Sequence, residues 1–291
     1  MYHLTAPEIE DALGAAKARG VDVKIILDAK NLEKHGSAEV AQRLTDRGVT
    51  IVRASSAFSI MHVKAMVIDD ARCAIMSLNL TRPYDHTRDY AIVTDDPGVV
   101  DEFIRVFDAD VANADSHTSI TPALANASLV WSPVDAEPRL VTLVDSAQRT
   151  IDATTENLSD RAMEDAFSRA AKRGVKVRLL VPACDLGGDP YRNHKPVLDL
   201  EKKNVDARVM PSPSTRDEPY MHAKMILVDG ARGFVGSINF SENSMKHARE
   251  LGIVFEDRAA LTAFRATFES DWRFAAPPPE KPDGSCKRST D

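Results

Sequence analysis

Two segments of the chain carry the same polar residues at the same spacing. In each, a histidine is followed two residues later by a lysine, five residues after that by an aspartate, and then by a serine and an asparagine two residues apart. The first copy consists of His62, Lys64, Asp69, Ser77 and Asn79, and the second of His222, Lys224, Asp229, Ser237 and Asn239. One such set can arise by chance, but two copies in similar surroundings indicate a duplicated catalytic half-site.

These residue types suit the chemistry of a phosphodiester. The ammonium groups of Lys64 and Lys224 can neutralise non-bridging oxygens, and a histidine can attack phosphorus or protonate the leaving oxygen. The hydrogen-bond donors that we expect to bind the phosphate are Ser77, Asn79, Ser237 and Asn239. One half alone lacks either a nucleophile or an acid, whereas two facing halves supply both. We therefore expect neither a metal nor a cofactor.

The elements that position these side chains are predicted to be strands. Apolar, β-branched runs bounded by turn residues predict buried strands over 61–69 and 221–229, and strands over 74–79 and 234–239 return antiparallel to them. Side chains alternate across a strand, so a histidine and a lysine two residues apart are expected on one face. Each hairpin thus directs an imidazole, an ammonium, a hydroxyl and an amide toward one point.

The repeated pattern resembles the HKD signature of the phospholipase D superfamily, His-x-Lys-x4-Asp-x6-Gly-Ser-x-Asn. His222 to Asn239 matches it at every position, and the first copy departs once, with Met76 in place of the glycine. The resemblance covers nearly the whole chain. It implies an α/β fold of two similar α/β/α sandwich lobes, produced by duplication, with the active site at their interface.

The resemblance also implies roles for individual residues. The two histidines are expected to share one site, with His62 attacking phosphorus to give a phosphohistidine and His222 acting as acid and then as base. The family places a carboxylate about ten residues after the motif asparagine to hold the second imidazole nitrogen, and Asp89 and Glu250 occupy such positions.

The remaining candidate residues are expected to be structural. Asp69 and Asp229 lie five residues beyond their lysines, on the opposite strand face, which favours a salt bridge or a turn role. Cys73, Cys184 and Cys286 are few and scattered, which favours buried thiols over a disulfide framework. The other histidines lack convincing zinc-ligand spacing with a cysteine, and they are His3, His35, His86, His117, His194 and His247.

The repeat extends to the order of helices and strands. Each half contains an amphipathic helix, a glycine cap and a buried strand, followed by a second helix and strand, which predicts an α/β sandwich. We predict an N-terminal lobe over residues 1–120, a C-terminal lobe over 121–275 and a disordered tail over 276–291. The N-terminal lobe is expected to lack the opening helix and strand that precede Glu156 in the other.

The charge and the surface residues leave the substrate open. A net charge of −7 disfavours tight, sequence-independent binding of nucleic acid, which needs a broad basic surface. The basic residues near the motifs are expected to be solvated charges, and they are Arg82, Arg88, Lys246 and Arg249. Loop aromatic residues suit an acyl-glycerol body or a nucleic-acid base equally, and they are Phe58, Tyr191 and Tyr220.

Three functions remain open at this point. The first is a phospholipase D-type phosphodiesterase that acts on phospholipid at a membrane or micelle surface, with phosphatidyl transfer as a variant. The second is a metal-independent endonuclease of the same superfamily, and the third a non-catalytic phosphate-binding module, which the intact histidines and lysines disfavour. The sequence shows no apolar run of membrane-spanning length and leaves the compartment and protein partners open.

Overall fold

The computed structural model describes residues 1–33, 36–82, 86–114 and 116–282 together with Cys286. The prediction for His35 lies outside these residues. The helices are α1 (Pro7–Ala18), α2 (Ser37–Asp46), α3 (Pro97–Ala112), α4 (Ala136–Asp145), α5 (Arg161–Lys172), α6 (His194–Glu201), α7 (Glu242–Lys246) and α8 (Arg258–Trp272). The strands are β1 (Lys24–Leu27), β2 (Thr50–Arg53), β3 (Ala65–Ile68), β4 (Arg72–Met76), β5 (Thr87–Arg88), β6 (Ala91–Thr94), β7 (Leu129–Ser132), β8 (Thr150–Thr154), β9 (Lys176–Pro182), β10 (Asp206–Met210), β11 (Tyr220–Met221), β12 (Met225–Val228), β13 (Arg232–Gly236) and β14 (Glu250–Phe255).

The C-terminal lobe is built on one mixed sheet of seven strands in the order β10-β9-β8-β12-β13-β14-β7. β8, β9 and β10 are parallel, whereas β12, β13, β14 and β7 form antiparallel pairs. Parallel neighbours need a crossover, and α5 and α6 supply it between β8, β9 and β10. This arrangement is the α/β architecture that the repeat predicts.

The N-terminal lobe repeats the same order in two separate pieces. β1 pairs with β2 in parallel, and β3, β4 and β6 form an antiparallel sheet. These pieces correspond to β9 and β10 and to β12, β13 and β14 of the other lobe. Among the described residues of this lobe, no strand corresponds to β8 and no helix to α4.

The strands that carry the motifs are shorter than predicted. β3 and β12 begin one residue after Lys64 and Lys224, so both His-x-Lys segments lie ahead of their strands. The residues just before each histidine pair instead with the opposite lobe, at Met61 and in β11. An extended segment therefore crosses from a contact with one lobe into the sheet of the other.

The two lobes share a hydrophobic core. One cluster includes Trp131 and strand residues from both lobes. α3 and α8 contribute to it Phe103, Val106, Phe264 and Phe268. Each lobe has a second cluster of its own. Burial of apolar surface in the shared cluster stabilises the docking of the lobes, which fixes the geometry between them.

The one departure from the motif is absorbed away from the interface. Met76 packs with Leu4, Leu27 and Leu80 in the core of the N-terminal lobe. At the equivalent Gly236, a Cβ atom would lie 2.4 Å from the Cα of Gly252, so the second copy requires glycine there. Met76 therefore does not enter the space between the lobes.

Two of the cysteines differ from the prediction. Cys184 and Cys286 form a disulfide, so the expectation of buried thiols is wrong for these two, while Cys73 is free and buried. The chain after α8 folds back on the C-terminal lobe, where Ala276 pairs with Val209 and brings Cys286 within reach. Of the predicted tail 276–291, residues 283–285 and 287–291 lie outside the described residues, and its disorder stays a prediction.

Candidate active site

Two short β pairings between the lobes assemble the site. Met61 forms a parallel bridge with Arg249, and the His62 amide donates to the Arg249 carbonyl at 2.8 Å. At the equivalent place in the repeat, β11 pairs in parallel with β5. Each pairing places the residue just before one histidine beside the residue just before the carboxylate of the other lobe.

The result is a crossed pair of histidine–carboxylate contacts. His62 Nδ1 lies 2.8 Å from Glu250 Oε2, and His222 Nδ1 lies 2.8 Å from Asp89 Oδ1. Both imidazoles are buried. Because each Nδ1 faces a carboxylate, Nε2 is the nitrogen that each histidine presents to a substrate.

Two buried lysines lie beside the histidines. Lys64 and Lys224 are 1% and 0% exposed, and each Nζ donates to the backbone carbonyl of the histidine two residues earlier. Burial and the charge of Lys224 lower the pKa of Lys64 to about 7. Two buried cations in one site favour an anion between them, which is the requirement for holding a phosphate.

Glu156 is a member of the site that the motif does not contain. Its Oε2 lies 3.2 Å from Lys224 Nζ and 3.6 Å from His222 Nε2, and its Oε1 accepts a hydrogen bond from the Tyr220 hydroxyl at 3.1 Å. Burial raises the pKa of Glu156, but the charges of Lys224 and His222 outweigh it and hold that pKa at about 2. The sequence signal was its place directly after a predicted strand, β8.

The two halves of the site differ in electrostatics. Burial, followed by the charge of Lys64, lowers the pKa of His62 well below its usual range. Burial also raises the pKa of Glu250 to about 7, against the attraction of Lys64. The pKa of Asp89 is instead held at about 2, because the charge of His222 outweighs burial. A neutral imidazole is therefore favoured at His62, and an ionised carboxylate faces His222.

The motif serines contact the protein rather than open space. The Ser77 hydroxyl donates to Asp89 Oδ1 at 2.6 Å and accepts from the Tyr90 amide. The Ser237 hydroxyl donates to the Leu251 carbonyl at 3.3 Å and accepts from its amide. Each hydroxyl thus contacts the segment that carries a site carboxylate, and a role of Ser77 and Ser237 in phosphate binding stays a prediction. The contacts result from the antiparallel pairing of β4 with β6 and of β13 with β14.

The motif asparagines border the site and differ from each other. Asn239 Oδ1 accepts from the Asn157 amide at 3.1 Å and from the Thr155 hydroxyl at 3.3 Å. Asn79 Oδ1 is buried and has no hydrogen-bond partner among the described residues. The first copy thus retains an amide oxygen that the protein itself does not satisfy.

The motif aspartates lie at the opposite ends of their strands, away from the histidines. Asp69 and Asp229 have φ values of 55° and 56° in the turns after β3 and β12. The Asp229 carboxylate accepts from three backbone amides, those of Gln148, Arg149 and Thr150. This is a turn role of the kind that the sequence predicts for them.

Basic residues near the motifs form ion pairs. Arg249 is fully buried, bonds Asp110 at 2.9 Å and lies against the rings of Phe58 and Trp131, so the expectation of a solvated charge is wrong for it. It is buried because it enters the shared core. Arg82 pairs with Glu8, Arg88 with Asp271 and Lys246 with Glu137.

A cavity of about 1030 Å³ opens between the lobes, and its lining residues do not include the motif histidines or lysines. Its lining includes Phe58, Lys30 and Lys246, and also Asp28, whose carboxylate accepts from the Met61 amide at 2.8 Å. Of the predicted loop aromatic residues, Phe58 lines this cavity, whereas Tyr191 does not and is 62% exposed.

Within the described residues, no cluster of metal-ligating side chains occurs, and no helix has the length and apolar character needed to cross a bilayer.

Comparison with known proteins gives three findings. A family model described as the PLD-like domain of cardiolipin synthase matches residues 1–111 and 140–272. The chain is 29% identical over 133 residues to the probable cardiolipin synthase YwiE of Bacillus subtilis (strain 168), covering 44% of this chain and 25% of that protein. It is 28% identical over 154 residues to the mitochondrial cardiolipin hydrolase of Homo sapiens, covering 51% and 58%. The chain thus spans less than two thirds of these relatives.

A solved structure shares the fold over most of the chain. The phosphatidylserine synthase of Haemophilus influenzae Rd KW20 superposes with a TM-score of 0.69, at 14% identity, over 93% of this chain and 78% of that one. At this identity the likeness concerns the fold alone.

Proposed function

The chain belongs to the phospholipase D superfamily, and from this premise we propose that it hydrolyses the head-group ester of a phospholipid through a phosphohistidine, without a metal. The observation that carries the proposal is the crossed pair of histidine–carboxylate contacts beside two buried lysines. This set supplies a nucleophile, an acid and the charges that hold a phosphate.

In the first step, His62 Nε2 attacks phosphorus while its Nδ1–H donates a hydrogen bond to the Glu250 carboxylate. The bond between phosphorus and the head-group oxygen breaks, and His222 gives its Nε2 proton to that oxygen. The lysine ammonium groups neutralise the non-bridging oxygens as negative charge develops on them. The product that leaves is the head-group alcohol.

In the second step, His222 Nε2 takes a proton from water as the water oxygen attacks phosphorus. The bond between phosphorus and His62 breaks, which releases phosphatidic acid and restores the enzyme. Asp89 stabilises the imidazolium of His222 after each proton uptake. An alcohol in place of water would give phosphatidyl transfer, which is the second candidate, since one relative is named a probable cardiolipin synthase.

The test is release of head group from micelles of phosphatidylcholine or cardiolipin in EDTA. We expect product from the wild type, and a loss of roughly 10²–10⁴-fold in His62→Ala and His222→Ala. His117→Ala, at an exposed histidine, is the matched control and keeps full activity. Inhibition by EDTA that a divalent ion reverses would exclude the metal-free mechanism. Cleavage of nucleic acid but of no lipid would move the assignment to an endonuclease.

A further inference from the structure

Beside the motifs, the two halves of the site carry residues of different chemistry at one equivalent position. In each half, a leucine forms a bridge with the residue after the motif asparagine, and two successive amides after that leucine donate to the same carbonyl. The equivalent bridges are Leu4 with Leu80 and Leu158 with Phe240. Two residues before these leucines stand Tyr2 and Glu156, which are therefore equivalent positions.

Both residues face the histidine of their own half, with opposite chemistry. The Tyr2 ring meets His62 edge-on, with 4.7 Å between ring centroids, and lies 5.1 Å from Lys64 Nζ. The Glu156 carboxylate lies 3.6 Å from His222 Nε2 and 3.2 Å from Lys224 Nζ. An aromatic ring in one half thus takes the place of a carboxylate in the other.

The charges around the histidines differ in consequence. His222 lies between two carboxylates, Asp89 at Nδ1 and Glu156 near Nε2, with Lys224 as the opposing cation. Among the described residues, Glu250 is the carboxylate within ion-pair distance of His62. Each nearby negative charge stabilises an imidazolium, and the effect is large because the groups are buried.

We propose that Glu156 is the positioning residue that reserves His222 for proton transfer, while Tyr2 leaves His62 neutral to attack phosphorus. This inference rests on the proposed phosphodiesterase chemistry. Glu156 directs His222 Nε2 and the Lys224 ammonium toward the leaving oxygen. This difference adds to the unequal burial and charge of the two halves and separates the roles of nucleophile and acid.

The test compares two phosphodiesters that differ only in the leaving group, p-nitrophenol or a simple alcohol. A p-nitrophenolate leaves without a proton, whereas an alkoxide needs one from His222. In Glu156→Gln, kcat/KM is expected to fall by at least about 10-fold for the alkyl diester and by less than about 3-fold for the p-nitrophenyl diester. Glu156→Asp keeps the charge and is expected to restore the wild-type ratio between the two substrates.

Glu242→Gln, at an exposed glutamate of α7, is the matched control and leaves both rates unchanged. Equal losses with both leaving groups in a folded Glu156→Gln protein would reduce Glu156 to a structural role and overturn the inference. Faster turnover with both would do so too, since the carboxylate would then only compete with phosphate. If the wild type cleaves neither diester, the proposed function itself fails, and the two failures are thereby distinguished.

Discussion

Lys64→Met is expected to make the protein more stable and inactive at the same time. Lys64 is buried beside Lys224, and its ammonium donates 3.0 Å to the His62 carbonyl. A methionine of similar length fills the same space without a charge. The lysine is therefore a residue that the fold keeps at a cost in stability, as is common for groups that serve a substrate.

The magnitude follows from the protonation of Lys64. Its pKa is lowered from 10.5 to about 7. Holding the charge in the folded state therefore costs about 5 kcal/mol below pH 7. Loss of its hydrogen bond to the His62 carbonyl lowers stability by about 0.5–1.5 kcal/mol. The net free energy of unfolding should therefore rise by about 3–4 kcal/mol. Lys64 loses its proton at a lower pH in the folded protein than in the unfolded chain. The full cost in stability therefore applies below pH 7 and falls toward zero as pH rises to 10.5.

The assay is urea unfolding of wild type and Lys64→Met at pH 6.5, 8 and 9.5, with head-group release measured in parallel. The gain in stability should be largest at pH 6.5 and shrink at each higher pH. Lys172→Met, at an exposed lysine near the end of α5, is the matched control and should change stability by less than about 0.5 kcal/mol. A variant no more stable than wild type at pH 6.5, or a gain that does not depend on pH, would refute the reasoning.

Two further predictions concern pH and the disulfide. Since burial and Lys224 lower the pKa of Lys64 to about 7, kcat/KM for an anionic diester should fall as pH rises through that value, and a profile flat to pH 9 would contradict this. The bond between Cys184 and Cys286 closes a loop of 102 residues, so Cys286→Ser should lower the free energy of unfolding by about 2–4 kcal/mol in urea without dithiothreitol. Equal midpoints for that variant and the wild type would show that the bond contributes nothing.

The motifs predict which residues meet but not how they meet. The spacing of His62 and Lys64, and of the equivalent pair, is enough to place them together. That Glu250 serves His62 depends on a contact between lobes, at Met61 and Arg249, which spacing within one motif does not encode. Local sequence thus predicts each half of the site, and the packing of the lobes decides the partners.

Other features escape sequence reasoning for specific physical reasons. An arginine such as Arg249 is normally solvated, and only the pairing with Asp110 inside a shared core allows its burial. Cys184 and Cys286 are far apart in sequence, and their contact depends on the return of the chain after α8. Glu156 belongs to no motif, and its place directly after a predicted strand is a weak signal that many structural residues share.

The crossed contacts make the two lobes mutually dependent. Each lobe holds the carboxylate that the other lobe's histidine needs, so a movement that parts them removes both carboxylates at once. The docking of the lobes is therefore a condition for both histidine–carboxylate contacts together. A substitution in the helices of the shared core, at Phe103 or Phe268, is therefore expected to weaken the docking on which both contacts depend.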